Sequence, residues 1–195
     1  MVNQMFKKIS KGSPWKWAAV IPIDGTPPIA NWQNALDQMD YKICMSRYGQ
    51  KVIEKYFDNC EDTVYMPHGV DCNFFKPKLN PMYGSKPLRE VVGDAFVVGC
   101  VARNQHRKNI PQLIKGFKEF VDRNDLKPTE VRLCLHMDWN DSMGWRIPEF
   151  SKQYGIEEYL MPPLMGNLDG GEALTEEGMV DLYNCMDMFV LPTAG

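Results

Sequence analysis

Apolar and polar positions along this chain repeat in two periods, and the period switches several times. Trp17-Ala-Ala-Val-Ile-Pro-Ile23 is an apolar run of strand length closed by Asp24-Gly25. Ile29 to Met39 reads as a helix, and Tyr41-Lys-Ile-Cys-Met45 as a short strand. Ser46 is placed to cap a helix reaching Phe57, with Val52, Ile53, Tyr56 and Phe57 on its apolar side. Thr63-Val-Tyr-Met66 is the next strand, closed by Pro67-His68-Gly69-Val70-Asp71. From Asn73 to Gly93 the period is lost. Phe74 and Phe75 precede Pro77, Pro81, Gly84 and Pro87, and this composition predicts an interdomain linker anchored by the two aromatic rings.

A second alternating series follows. Ala95 to Val101 is a strand. Asn109 is placed to cap a helix whose apolar positions Ile110, Leu113, Ile114, Phe117, Phe120 and Val121 fit the 3.6-residue period. Val131, Leu133, Leu135 and Met137 alternate with polar neighbours, which predicts a half-buried strand. A short helix over Glu149–Tyr154, a strand over Glu158–Met161, a helix from the Thr175 cap to Asn184 and a strand over Met188–Leu191 complete the series. Strands alternating with helices predict an α/β fold with parallel sheets and right-handed crossovers. The expected boundaries are a first domain over 1–76, a linker over 77–93 and a second domain over 94–195. The chain enters in mid-pattern and stops at Pro192-Thr-Ala-Gly195, directly after a strand. We therefore expect a fragment of a longer protein.

The junction between the Ala95–Val101 strand and its helix carries the candidate chemistry. Arg103, His106, Arg107 and Lys108 crowd the N-terminal end of a helix. That end already holds positive partial charge and free N–H groups, so cations there are unfavourable unless an anion joins them. A phosphate on the helix N-terminus, clamped by these side chains, resolves the conflict. A dinucleotide site would show Gly-x-Gly-x-x-Gly and a P-loop Gly-x-x-x-x-Gly-Lys-Ser/Thr. The junction has only Gly99, and neither motif is present. Side-chain charge, with no glycine nest, is expected to hold the phosphate. Asp138 and Asp141, beside Trp139 and Trp145, read as a capped surface loop ahead of a sugar or metal site.

Composition narrows the partners. The net charge is −3, so the basic cluster is local and general nucleic-acid binding is not expected. No run approaches the ~18 apolar residues of a membrane span. The N-terminal residues lack the apolar core of a signal peptide, which predicts a cytoplasmic protein. Six cysteines and three histidines are scattered without metal-ligand spacing. Buried thiols, and no metal, are expected.

Val98-Gly-Cys-Val-Ala-Arg103-Asn-Gln-His-Arg-Lys108-Asn-Ile-Pro resembles the first strand and helix of the C-terminal domain of group 1, or family 4, glycosyltransferases. Pro67-His68-Gly69-Val70-Asp71, with Phe75 and Pro77 behind it, is similar to the family's His-Gly-Val-Asp segment. Glu176 to Pro192 is similar to the run that leads into its glutamate-rich motif. The similarity spans roughly residues 18 to 195. It implies a GT-B-like fold, two Rossmann-like domains with parallel sheets facing a cleft, each incomplete here. Residues 1–76 would be the C-terminal part of the acceptor-side domain and 94–195 the N-terminal part of the donor domain. The family's N-terminal glycine-rich loop and its pair of glutamates seven residues apart are missing from the sequence. The implied activity is transfer of a sugar from a nucleotide-diphosphate donor to an acceptor hydroxyl of a glycan, lipid or protein, retaining and metal-independent, with no cofactor. A fragment alone is expected to be inactive. Arg103 and Lys108 match the pair that grips the donor diphosphate. Asp24 stands where many members carry a His, which makes it the candidate catalytic residue. His68, Gly69, Met165 and Gly166 are candidate cleft-lining positions. The alternatives are another GT-B enzyme (an epimerase or phosphorylase), a non-catalytic phosphate- or sugar-binding module and, more distantly, an NAD-dependent dehydrogenase.

Overall fold

The computed structural model describes residues 14–23, 25, 26, 28, 30–164 and 174–193. The chain divides into two compact units between Val70 and Asp71.

The first unit is built on a parallel sheet of β1 (Ala18–Ile21), β2 (Tyr41–Cys44) and β3 (Val64–Tyr65), in that order. A 3-10 turn (Ala30–Trp32) leads into helix α1 (Gln33–Leu36), much shorter than the 29–39 helix that the pattern predicts. No side chain caps its start and Leu36 is its one fully buried residue, so little holds a longer helix. Helix α2 (Arg47–Tyr56) begins as expected, with Ser46 Oγ accepting the Gly49 N–H at 2.9 Å. Ile21, Leu36, Cys44, Ile53, Phe57 and Cys60 form the core of this unit.

The second unit opens with the segment that resembles a linker in composition. It has defined structure. β4 (Met82–Tyr83) and β5 (Lys86–Pro87) form an antiparallel hairpin, and α3 (Leu88–Val92) follows. Gly84, one of the residues behind the linker reading, turns the hairpin at φ +64°. The segment is tied to helix α6 (Glu176–Asn184) by long-range bonds. Asp181 Oδ1 accepts from Lys78 Nζ at 2.7 Å and from the Met82 N–H at 2.9 Å. Asn184 Oδ1 accepts the Lys78 N–H at 2.7 Å, and its Nδ2 donates to the Lys76 carbonyl at 3.0 Å. Phe74 and Phe75 meet edge to face at 5.3 Å between ring centroids, and Phe75 meets Tyr183 in the same way at 6.5 Å. These rings sit at the surface of α6; the core anchor expected of them is supplied by Tyr83, Leu88 and Val92.

Burial alone would push the Asp181 carboxyl up. The Lys78 ammonium and the Met82 N–H outweigh it and hold the carboxyl below the ordinary aspartate range. The bond is therefore fully present above that range and is lost as pH falls through the lowered value. Asp181→Ala is expected to destabilise the second unit by about 2 kcal/mol, because a charged acceptor of two bonds is removed and the Met82 N–H is stranded. A fall in the urea midpoint at constant m-value checks it. An unchanged midpoint would mean that the 76–83 segment is not held through α6.

The main sheet of this unit is parallel. β6 (Phe96–Val101) lies between β7 (Val131–His136) and β8 (Met188–Phe189). Leu160 bridges to Leu133 on the far side of β7, where the pattern predicts a full strand over 158–161; a 3-10 turn (Glu157–Tyr159) takes up the first half of that span. In space the order is Leu160, β7, β6, β8, so chain order runs outward from β6 on one side and resumes on the other. This is the doubly wound arrangement, and it reverses between β6 and β8.

Helix α4 (Ile110–Asn124) and helix α5 (Ile147–Tyr154) cover one face, where Val98, Cys100, Leu133 and Leu135 pack against Ile110, Ile114, Phe117 and Ile147. On the opposite face Val97 and Cys134 pack with Val92, Met161 and Leu182. β7 is thus covered on both sides, which corrects the half-buried strand expected from its alternation. Phe120 lies on the rim, 43% exposed. Gly99 has a packing role: a Cβ there would come within 2.1 Å of Met186 Sδ. Burial pushes the thiols of Cys100 and Cys134 up to about 11 and that of Cys185 up to about 12, so all three pack as small apolar groups.

Candidate functional site

The loops that leave the C-terminal ends of β6, β7 and β8 meet at the strand-order reversal, where open α/β sheets bind ligands. The β6 loop holds the basic cluster. His106–Lys108 form a 3-10 turn, Asn109 takes the left-handed conformation at φ 51°, and α4 starts at Ile110. The pattern predicts a side-chain cap from Asn109. Its side chain makes no cap bond, and the left-handed backbone, which Asn tolerates, turns the chain into the helix instead. Pro111 sits in the first turn and has no N–H to satisfy. The helix start is therefore not closed by a side-chain acceptor.

Arg103 is 67% exposed at its side chain, and its Nε donates to Asp141 Oδ2 at 3.3 Å. The other Asp141 oxygen accepts the Met143 N–H at 2.9 Å. That backbone bond first, and Arg103 second, hold the Asp141 carboxyl below the usual range. Lys108 is half-buried, and its ammonium acts on Cys100 against the burial that raises that thiol. His106 meets the Trp145 ring edge-on at 4.6 Å. The Arg107 carbonyl accepts Thr193 Oγ1 from the β8 loop at 3.3 Å.

Asn104 joins the β6 and β7 loops. It is fully buried. Its Nδ2 donates to the Asp138 carbonyl at 2.9 Å and the Trp145 carbonyl at 2.6 Å, and its Oδ1 accepts the Trp145 N–H at 2.9 Å. Gly144 closes the contact from the other side, where a Cβ would lie 2.2 Å from the Asn104 carbonyl oxygen. His136 Nδ1 and Trp145 Nε1 are buried at this end without a hydrogen-bond partner among the described residues, and burial lowers the His136 pKa.

Arg103, His106, Arg107 and Lys108 therefore lie on one loop, as the sequence implies. His68 and Gly69 are exposed in the other unit, after β3. Asp24, Met165 and Gly166 lie outside the described residues. Asp138 and Asp141 each accept a backbone N–H two residues on, from Asn140 and Met143, which is the capped loop that the sequence favours. Among the described residues no group of three His, Cys, Asp or Glu is placed to hold a metal ion. No helix of the described residues is long and apolar enough to cross a membrane. Asn104 escapes sequence reasoning, because nothing in Ala-Arg-Asn-Gln-His marks its amide as the buried member.

No protein-family model matches the chain, and no curated protein matches it by sequence. Among solved structures, the Anabaena protein HepE, in complex with UDP and glucose, is similar at TM-score 0.58 and 18% identity, over 85% of this chain and 42% of that one. A glycosyltransferase from Rickettsia africae is similar at TM-score 0.61 and 13% identity, over 89% of this chain and 45% of its own. The chain thus spans less than half the length of either. These likenesses carry the fold, which is α/β and GT-B-like, with parallel sheets flanked by helices.

Proposed function

We propose that this chain provides the donor-diphosphate site of a glycosyltransferase that moves a sugar from a nucleotide-diphosphate donor to an acceptor hydroxyl. The observation that carries it is the basic β6 loop, set beside an uncapped helix start at the point where strand order reverses. HepE, similar in fold, is solved with UDP, and this supports the choice of ligand class.

The chemistry asks for fixed positive charge. As the bond from the sugar's anomeric carbon to the diphosphate breaks, negative charge grows on the leaving phosphate. Arg103, Lys108 and the positive end of the α4 dipole stabilise it as it develops. Within this reading the cations take the part a divalent ion plays in metal-dependent transferases. Retention at the anomeric carbon and a part for Asp24, His68, Gly69, Met165 and Gly166 belong to the same proposal, as does a glycan, lipid or protein acceptor.

Calorimetric titration with UDP, ADP and GDP tests the reading. At least one is expected to bind saturably, more weakly as salt rises, and to be displaced by inorganic pyrophosphate. Failure of all three to bind at millimolar concentration would overturn it.

A further inference from the structure

The Asp141 carboxylate stands beside the proposed phosphate site, where charge alone makes it unwelcome. Its position is built, not incidental. The side chain is 13% exposed, and the Met143 N–H fixes Oδ1 at 2.9 Å. Asn104 and Gly144 hold the surrounding loop against the β6 loop through contacts that leave no slack. The partner is different in kind. Arg103 is 67% exposed, and its one hydrogen bond among the described residues runs from Nε to Asp141 Oδ2 at 3.3 Å. A fixed carboxylate thus grips a long, otherwise free side chain by one edge. The terminal Nη groups, the edge that binds phosphate bidentately, carry no protein partner among the described residues.

We infer that Asp141 is a positioning residue for Arg103: it holds the guanidinium by Nε and presents the Nη edge to the donor diphosphate. This rests on the donor-site reading above. An unrestrained exposed arginine loses much rotamer freedom when a ligand immobilises it; one already held by Nε loses less. Both carboxylate oxygens are needed. One serves the Met143 turn, the other serves Arg103, and an asparagine can supply only one of them. Asp141→Asn keeps the volume and the turn, and sets an amide N–H against the Nε–H of Arg103.

The sign of the effect separates positioning from simple charge. With inorganic pyrophosphate as probe, Asp141→Asn is expected to weaken binding by about 3- to 10-fold, the scale of one side chain's ordering. The melting temperature should hold. Removal of a merely repulsive carboxylate would tighten binding instead. The double-mutant cycle adds a readout that a general loop defect would not move: on an Arg103→Ala background, Asp141→Asn should produce no further loss. Equal or tighter pyrophosphate binding by Asp141→Asn, or the same fold-loss on the Arg103→Ala background, overturns the positioning role alone. Absence of pyrophosphate binding to the unaltered protein overturns the donor reading and this role with it.

Discussion

Arg103→Ala is expected to weaken inorganic pyrophosphate binding by about 10- to 100-fold and to leave the fold intact. The size follows from what is removed: charge-assisted bonds to a phosphate contribute roughly 1.5–3 kcal/mol. The fold survives because the side chain is largely exposed and its bond to Asp141 is a surface ion pair, a class that contributes little to stability. In a preparation that turns over a nucleotide sugar, the same variant is expected to lose on the order of 10²-fold in kcat, the loss typical of one preorganised donor. Arg103→Lys should recover charge but not the two-pronged geometry, and so restore only part of the affinity. Isothermal titration against inorganic pyrophosphate, with a thermal melt of each variant, checks both halves. Pyrophosphate affinity unchanged in Arg103→Ala would remove this residue from the donor site and take the main physical argument for a transferase with it.

The basic loop is legible in the sequence because it violates a local rule: four basic or imidazole side chains precede a helix start that favours acids. The doubly wound sheet is legible too, since β6 and β7 are apolar runs joined by one well-formed amphipathic helix. Two things are not. The 77–93 segment has the prolines, glycine and charges of a linker, and only its long-range bonds to Asp181 and Asn184 show that it is part of the second unit. A composition window has no access to a partner about a hundred positions away. Asn104 and Asp141 are hidden for the same reason. Each looks like an ordinary loop residue, and each owes its role to a contact some 40 positions off. Asp24, by contrast, is a reading of the resemblance alone and stays a proposal.

Asn104→Ala is expected to be the most damaging single change at the site, although Asn104 is fully buried. Its amide makes three bonds to backbone groups of the 138–145 loop from a fully buried position. Truncation strands the Trp145 N–H and two carbonyls, and each stranded buried group costs about 1 kcal/mol or more. A loss of roughly 3 kcal/mol in the second unit follows, on the order of 10 °C in its melting temperature. Asn104→Asp should be no better. It keeps an acceptor for the Trp145 N–H and turns an oxygen toward the Asp138 and Trp145 carbonyls, which want a donor. Gly144→Ala attacks the same contact from the other side, where backbone oxygen leaves no room for a methyl group. In all three variants the loop that carries Asp141 loses its seat, so pyrophosphate affinity should fall with stability. Asp141→Asn separates the two, since it is expected to cost affinity alone. Thermal melts of the four variants beside their pyrophosphate titrations decide the matter. An Asn104→Ala protein that melts within a degree or two of the unaltered one would mean that the β6 and β7 loops are not locked together, and Arg103 would then have no fixed frame from which to meet a diphosphate.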